Sequence, residues 1–225
     1  MVNDKLFQKR RELKEKEAKR RRKRRSDHKM ILILCEGQKT EPTYFKAFRN
    51  SLRPPDKSIV IPKSYGGVDP SNLVNKAEEE FSKALKDDPP GYDRVFIVFD
   101  RDMHTTYDKA KQRVDNLNKN HENTFEAIVS IPCFEFWLLL HFENTDRPYQ
   151  TMIGSKSACE CVISDLKNYL PAYEKGKSDT FKITCRYIDE AMKRAELQEK
   201  RHITSDMDNY STTKVHHLIE YIVNL

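Results

Sequence analysis

In the stretch Ile31-Leu-Ile-Leu-Cys-Glu36-Gly37-Gln-Lys-Thr-Glu41, a short apolar run ends abruptly in acidic residues. The stretch Val95-Phe-Ile-Val-Phe-Asp100-Arg-Asp102 repeats this arrangement later in the chain. Short runs rich in β-branched and aromatic residues are typical of strands that are buried on both faces. Because ligands of open α/β sheets bind just beyond the carboxyl ends of such strands, both runs deliver acidic groups to the place where a site is expected.

Strand-like and helix-like segments alternate along the chain after residue 29. Strands are predicted at 30–35, 58–62, 94–99 and 125–130, and helices at 40–51, 70–86, 106–120, 133–143, 156–169, 180–199 and 211–223. This alternation indicates a mostly parallel sheet flanked by helices, followed by a helical C-terminal third. The predicted fold class is therefore α/β, with residues 30–225 as one domain behind an N-terminal tail of residues 1–29.

Four carboxylates can converge at the edge of this sheet: Glu36, Glu41, Asp100 and Asp102. They would repel one another unless a cation lay between them, and a hard divalent ion, Mg²⁺ or Mn²⁺, is the simplest candidate. Asp100 and Asp102 are two residues apart on an extended chain, so both can face one ion. Glu41 is either a metal ligand or only a stabilising charge in the first turn of its helix. We assign Glu36 to catalysis as a general base or acid, or to the metal as a further ligand.

A fifth carboxylate, Glu135, follows the predicted strand 125–130. In the next helix it shares a face with Leu138, Leu139 and Phe142, so its burial is costly without a partner. A metal ion or a basic residue of the site can supply that partner, which would give Glu135 a catalytic role. A structural salt bridge is the alternative.

Five basic residues are further candidates for the same site: Lys39, His104, His141, Lys214 and His216. Lys39 lies in the loop after the first strand, where a lysine can meet a phosphate as a point charge. His104 can hold a phosphate or a proton, and Lys214 and His216 near the last predicted helix can hold a phosphate. For His141, the alternative is a buried core histidine.

Positive charge is concentrated at the N-terminus. Residues 1–29 contain 14 of the 41 Lys and Arg residues but only 5 of the 35 Asp and Glu residues, which leaves 27 basic and 30 acidic residues in the rest. One run in this tail is entirely basic: Lys19, Arg20, Arg21, Arg22, Lys23, Arg24 and Arg25. Such blocks bind polyanions, so we expect the tail, whether helical or disordered, to bind nucleic acid. A solvated tail and a partner's acidic surface are the alternatives.

The cysteines and the hydropathy indicate the compartment. Five cysteines without a Cys-x-x-Cys pair argue against a disulfide framework or a structural zinc site, and Cys159 and Cys161 are expected to pack in the core. No apolar run reaches the length of a transmembrane helix, and the N-terminus lacks the apolar stretch of a signal peptide. We expect a cytoplasmic protein with no membrane partner.

Three motifs resemble those of a known family. A strand ending in Glu-Gly, followed by a strand ending in Asp-x-Asp, resembles the Toprim domain of topoisomerases, primases and certain nucleases. Cys-Glu-Gly-x-x-Thr-Glu-x-x-Tyr-Phe at Cys35–Phe45, together with segments 132–142 and 210–216, is similar to the RloB-like family of bacterial anti-phage proteins. The sequence departs from the commoner Toprim pattern because it has no glycine shortly after the Asp-x-Asp.

This resemblance implies a Mg²⁺-dependent Toprim-type endonuclease that acts in anti-phage defence by abortive infection, commonly beside an AAA- or ABC-type ATPase. The chain lacks the apparatus for strand passage or template binding, so hydrolysis of DNA or tRNA is the predicted activity. A chain this small would need its tail or a second subunit, as in a homodimer, to hold a long substrate. The alternative is a non-catalytic subunit that binds nucleic acid or a partner, in which the acidic cluster is a structural metal or nucleotide site.

Overall fold

The computed structural model describes residues 29–52, 58–62, 67–86, 91–101, 105–149, 156–202 and 210–225. Five strands form one sheet: β1 (Ile31–Cys35), β2 (Ile59–Val60), β3 (Arg94–Asp100), β4 (Phe125–Ile131) and β5 (Thr212–Thr213). Their order is β2-β1-β3-β4-β5, with β5 antiparallel to β4 and every other pair parallel. The predicted α/β class with a mostly parallel sheet is confirmed.

The register brings the carboxyl ends of three adjacent strands to one edge of the sheet. Cys35 of β1 lies opposite Val98 of β3, and Asp100 of β3 lies opposite Ser130 of β4. All five residues of β1 are buried, as expected for a strand covered on both faces. The acidic residues that follow these strands therefore start from neighbouring positions.

Helices cover both faces of the sheet. They are α1 (Thr40–Leu52), α2 (Pro70–Ala84), α3 (Tyr107–His121), α4 (Glu135–Leu140), α5 (Ala158–Tyr169), α6 (Thr180–Thr184), α7 (Ile188–His202) and α8 (Val215–Val223), with a 3₁₀ turn at Cys185–Tyr187. The apolar residues of α2 and α3 pack with Leu32, Leu34 and Val95 on one face. The other helices pack with Ile31, Ile33 and other residues of the opposite face.

The structure differs from the predicted elements mainly in the C-terminal third. Residues 211–213 were predicted to begin a helix but contain the edge strand β5, where the Thr213 hydroxyl lies 2.9 Å from the Ser130 hydroxyl. The predicted helix 180–199 is two helices joined by the 3₁₀ turn, and α4 is shorter than predicted. The N-terminal tail, including Arg20–Arg25, lies outside the described residues. Across the described ranges, no helix is both long and apolar enough to cross a membrane.

Candidate active site

Glu36 connects the ends of β1 and β3. Its backbone N–H donates to the carbonyl of Val98 at 2.9 Å, which extends the ladder one residue beyond β1. Its carboxylate Oε2 accepts a hydrogen bond from the backbone N–H of Asp100 at 3.2 Å. Asp100 ends β3 on the face that it shares with Val98, and the next residue, Arg101, places its guanidinium 5.4 Å from the ring of Tyr107. The side chain of Arg101 is therefore turned away from the Asp100 carboxylate.

Glu41, in the first turn of α1, is buried with 5% of its surface exposed. Its carboxylate packs against the Cα atom of Gly37, where a Cβ atom would lie only 2.0 Å from Oε2. A glycine is thus required at this position by the close approach of a side chain, because the backbone of Gly37 does not have a positive φ. This contact with Gly37 fixes the position of the Glu41 carboxylate in the site.

Glu135 begins α4 and is 2% exposed. Its Oε1 accepts a hydrogen bond from the hydroxyl of Tyr173 at 2.9 Å and lies 3.6 Å from Nζ of Lys175. Its Oε2 lies 3.7 Å from Sγ of Cys159, which is itself 3.6 Å from Lys175 Nζ. Glu135 therefore has the basic partner that its burial requires. Cys159 is buried as predicted, although it packs against a carboxylate rather than only against apolar groups.

The carboxylates of Glu36, Glu41, Asp100 and Glu135 line a single cavity of about 430 Å³. Its other lining residues are Gly37, Gln38, Lys39, Thr40, Gly67 and Lys175. Four of the predicted acidic residues are thus brought together, with Lys39 exposed at the rim. Asp102 and His104, which follow β3, lie outside the described residues.

Negative charge in this cavity exceeds the nearby positive charge. Burial raises the pKa of Glu41 to about 7, and the charges of Glu135 and Glu36 add to this rise, whereas a backbone hydrogen bond and Lys175 oppose it. Burial likewise raises the pKa of Asp100 well above its ordinary value, and the three other carboxylates act in the same direction. A bound cation would favour the ionised forms of both groups.

Lys175 and Tyr173 were not predicted from the sequence as site residues. They lie in the loop between α5 and α6, which is anchored to the start of α1 where the N–H of Gly176 donates to Oγ1 of Thr40 at 3.0 Å. Gly176 has φ +81°, and a Cβ atom there would lie 2.5 Å from Cβ of Lys39. A glycine one residue after Lys175 was the only local signal, and it indicates a turn rather than a site.

The structure places His141 in the core and not in the acidic cavity. The residue is 1% exposed, with Nδ1 2.9 Å from the carbonyl of Trp137 and Nε2 3.3 Å from the hydroxyl of Tyr44. Because a carbonyl only accepts, Nδ1 carries the ring proton. Burial lowers the pKa of His141 to about 4, so the ring is neutral at neutral pH. The alternative of a core histidine is therefore correct.

Lys214 and His216 also lie away from the acidic cavity. Lys214 donates its backbone N–H to the carbonyl of Val129, and its Nζ is 3.9 Å from Oε1 of Glu199 on α7. His216 is 4% exposed and contacts the same glutamate. The expectation that they join the acidic residues is wrong, because the antiparallel strand β5 directs the chain that follows it back along β4.

The fold and the cavity together define a class: an α/β protein with an acidic pocket at the carboxyl edge of a mostly parallel sheet. The sequence model of the family described as RloB-like protein matches residues 31–222. The chain therefore belongs to the RloB-like family, as its three motifs indicated. No curated protein and no solved structure matches it.

Proposed function

We propose that the chain is a metal-dependent nuclease that hydrolyses phosphodiester bonds. The observation that carries this proposal is the convergence of Glu36, Glu41, Asp100 and Glu135 on one cavity beside a lysine. Carboxylates crowded into one site favour a bound cation, and such a cation can accept the negative charge of a phosphodiester. An acidic cavity without a cation would repel such a substrate.

The donor set fits Mg²⁺ or Mn²⁺. The cavity offers the carboxylate oxygens that these ions prefer, and burial together with the charges of the neighbouring carboxylates raises the pKa values of Glu41 and Asp100. In the described part of the chain, groups of three ligand side chains with donor atoms within 4.8 Å of one another lie at Cys133, Glu135 and Cys159, and at Glu199, His216 and His217. The acidic cavity is looser, which suits Mg²⁺ because this ion usually keeps several of its waters.

Each residue of the cavity has a role in this proposal. Glu41 and Asp100, together with Asp102 from the sequence, would hold the ion, which when bound would activate a water and stabilise the charge of an in-line displacement. Glu36 lies beside Asp100 and would accept the proton of the attacking water as a general base. Glu135, held by Lys175, would serve as the second catalytic carboxylate, and Lys175 and Lys39 would contact the phosphate.

The partners are inferred from the family and from charge. We propose that the substrate is DNA or tRNA, that the tail with Arg20, Arg21, Arg22, Lys23, Arg24 and Arg25 binds it, and that the chain acts in anti-phage defence under the control of an AAA- or ABC-type ATPase. The basic tail supports nucleic-acid binding because the remaining residues are net acidic and would not attract a polyanion by themselves. A homodimer would double the number of tails available to one substrate.

Cleavage assays with a matched pair of variants test this function. Glu36→Gln removes the proposed base and should abolish Mg²⁺-dependent cleavage of DNA or tRNA while nucleic-acid binding and folding persist. The control is Glu79→Gln, which removes one exposed carboxylate, paired with Lys76, from the far helix α2. Equal activity of both variants would contradict the proposal. Binding without any cleavage by the wild-type chain, alone and with its ATPase, would favour a non-catalytic binding subunit.

A further inference from the structure

A second group of ligand-type side chains lies apart from the acidic cavity. Glu199 on α7 and the adjacent residues His216 and His217 on α8 bring their donor atoms within 4.8 Å of one another. Nε2 of His216 is 3.2 Å and Nε2 of His217 is 2.6 Å from the same oxygen, Oε2 of Glu199. The two rings are nearly perpendicular, with centroids 4.4 Å apart. Two imidazole nitrogens therefore converge on one carboxylate oxygen.

The contacts of the two Nδ1 atoms fix the orientation of the His216 and His217 rings. Nδ1 of His216 is 3.2 Å from the carbonyl of Thr213, and Nδ1 of His217 is 3.2 Å from Oε1 of Glu126. Both partners only accept hydrogen bonds, so each Nδ1 carries a proton and each ring turns its Nε2 towards Glu199. In the metal-free chain a proton on Nε2 joins His217 to Glu199, because hydrogen bonds to Glu126 and Glu199 raise the pKa of this histidine. A metal ion would take the place of that proton. Orientation of a histidine through its second nitrogen by a carbonyl or a carboxylate is the usual arrangement around metal-bound histidines.

The surroundings allow an ion to enter. A cavity of about 600 Å³ lies beside the cluster and is lined by Glu199, His216 and His217, with further residues from α7 and Glu220 from α8. Glu126 is held in place by a salt bridge to Arg94. Nζ of Lys214 lies 3.9 Å from Oε1 of Glu199, the oxygen that does not contact the histidines. Of Lys214, His216 and His217, only the two histidines contact Oε2 of Glu199.

We propose that Glu199, His216 and His217 bind a divalent transition-metal ion of the Zn²⁺ type, with the remaining coordination position open to this cavity. Imidazole nitrogen suits Zn²⁺, whereas Mg²⁺ prefers oxygen, so this site and the acidic cavity select different ions. Ligand atoms around a tetrahedral zinc ion lie about 3.3 Å apart. The contact to His216 already has this length, and the contact to His217 reaches it when the partly exposed Glu199 side chain withdraws by roughly 0.7 Å.

The site would fasten α7 to the junction of β5 and α8. Because Glu126 lies on β4, the same cluster also joins these elements to the central sheet. It accounts for His216 in the motif Tyr210–His216, which the acidic cavity does not use. The ion would therefore stabilise the C-terminal helices against the sheet and does not depend on the nuclease function.

Zinc binding to the full-length chain, measured by titration calorimetry in excess Mg²⁺, tests this inference. The expected result is one Zn²⁺ per chain and at least tenfold weaker binding in Glu199→Gln and in His217→Gln. The control Glu196→Gln lies one turn away on the same cavity wall, where Glu196 pairs with Lys200 at 2.6 Å, and should bind zinc normally. Absence of zinc binding, or equal affinity in all variants, would overturn the site.

If a variant does not fold, the visible spectrum of the Co²⁺-loaded wild-type chain shows whether the ion binds at the histidines. Histidine and carboxylate ligands give the bands of tetrahedral Co²⁺ without an intense near-ultraviolet thiolate band. A thiolate band would place the ion at Cys133, Glu135 and Cys159 instead and would contradict the assignment to the histidines. Circular dichroism of each variant separates lost binding from lost folding.

Discussion

Lys175 Nζ lies 3.6 Å from Oε1 of Glu135, so a loop between two helices supplies the cation that faces a buried carboxylate at the end of β4. Partial burial opposes the charge of Lys175, but Glu135 outweighs it and raises the pKa of the lysine above its ordinary value. Lys175 is therefore charged at neutral pH. It is placed to balance Glu135 and to meet a phosphate that enters the cavity.

Replacement of this charge should weaken substrate binding and should also destabilise the fold, because the buried Glu135 loses its basic partner. In Lys175→Met we expect KM for nucleic acid to rise about tenfold, the value of one charge-assisted contact, with a smaller change in kcat. Steady-state cleavage kinetics measure both constants. Lys177→Met is the matched control, since Lys177 lies in the same loop but pairs with Asp179 at 3.8 Å. An unchanged KM in Lys175→Met would show that Lys175 does not bind the substrate.

The contact between Gly37 and Glu41 predicts a second variant. In Gly37→Ala the added methyl group would lie 2.0 Å from Oε2 of Glu41, so the carboxylate has to move. We expect cleavage to fall roughly a hundredfold, as for other misplacements of about 1 Å in active sites. Thermal unfolding should show that the fold persists, and Glu41→Gln should lose activity similarly. Full activity of Gly37→Ala would contradict a role for Glu41 in holding the ion.

Burial of Asp100 beside three other carboxylates predicts the response of stability to metal. The folded-state pKa of Asp100 is raised, so its charge destabilises the metal-free fold as pH rises above the unfolded-state pKa. Asp100→Asn should raise the melting temperature in chelator at neutral pH by about 2–4 °C, the effect of about 1 kcal/mol in a chain of this size, and near pH 4 the gain should disappear. Stabilisation by Mg²⁺ should be lost in the same variant. Calorimetry with and without Mg²⁺ checks both effects, and a lower melting temperature in chelator would refute this destabilisation.

The buried His141 predicts a different pH dependence. Its folded-state pKa is lowered to about 4, so the unfolded chain binds the proton more readily and stability falls as pH drops from 6.5 towards 4. Between these limits the loss is at most about 3 kcal/mol. His141→Phe should be less stable at neutral pH, because Tyr44 loses its partner, but should show a shallower decline in acid. Denaturant unfolding across this pH range measures the slopes, and equal slopes would show that His141 does not control the decline.

The sequence predicted the strands and their acidic ends because these depend on local patterns. A strand buried on both faces, such as β1, must be a continuous apolar run, and the residue after it must lie at the edge of the sheet. Glu36, Asp100 and Glu135 could therefore be predicted as neighbours. Their separation in the chain did not matter, because parallel strands bring their carboxyl ends together.

The remaining features depend on contacts between distant residues. Lys175 reaches the cavity because Gly176 bonds Thr40, a pairing across 136 residues that no local pattern encodes. The short strand β5 pairs with the end of β4, where Ser130 lies opposite Thr213, and this long-range pairing is invisible in the local sequence. Its two threonines were therefore predicted to begin a helix. The sequence left a buried core position open for His141 but could not show that Tyr44 and Trp137 satisfy its nitrogens.

The proposed function requires that the acidic cavity use a divalent cation to hydrolyse nucleic acid. The most direct measurement is the rate at which the chelator-treated full-length chain, alone and with the proposed ATPase partner, cleaves DNA and tRNA as Mg²⁺ is restored. We predict no cleavage in chelator, saturable recovery with Mg²⁺ or Mn²⁺ in the wild-type chain, and no recovery in Glu36→Gln. Cleavage that persists in chelator, or that recovers equally in Glu36→Gln, would show that the acidic cavity is not a metal-dependent nuclease site.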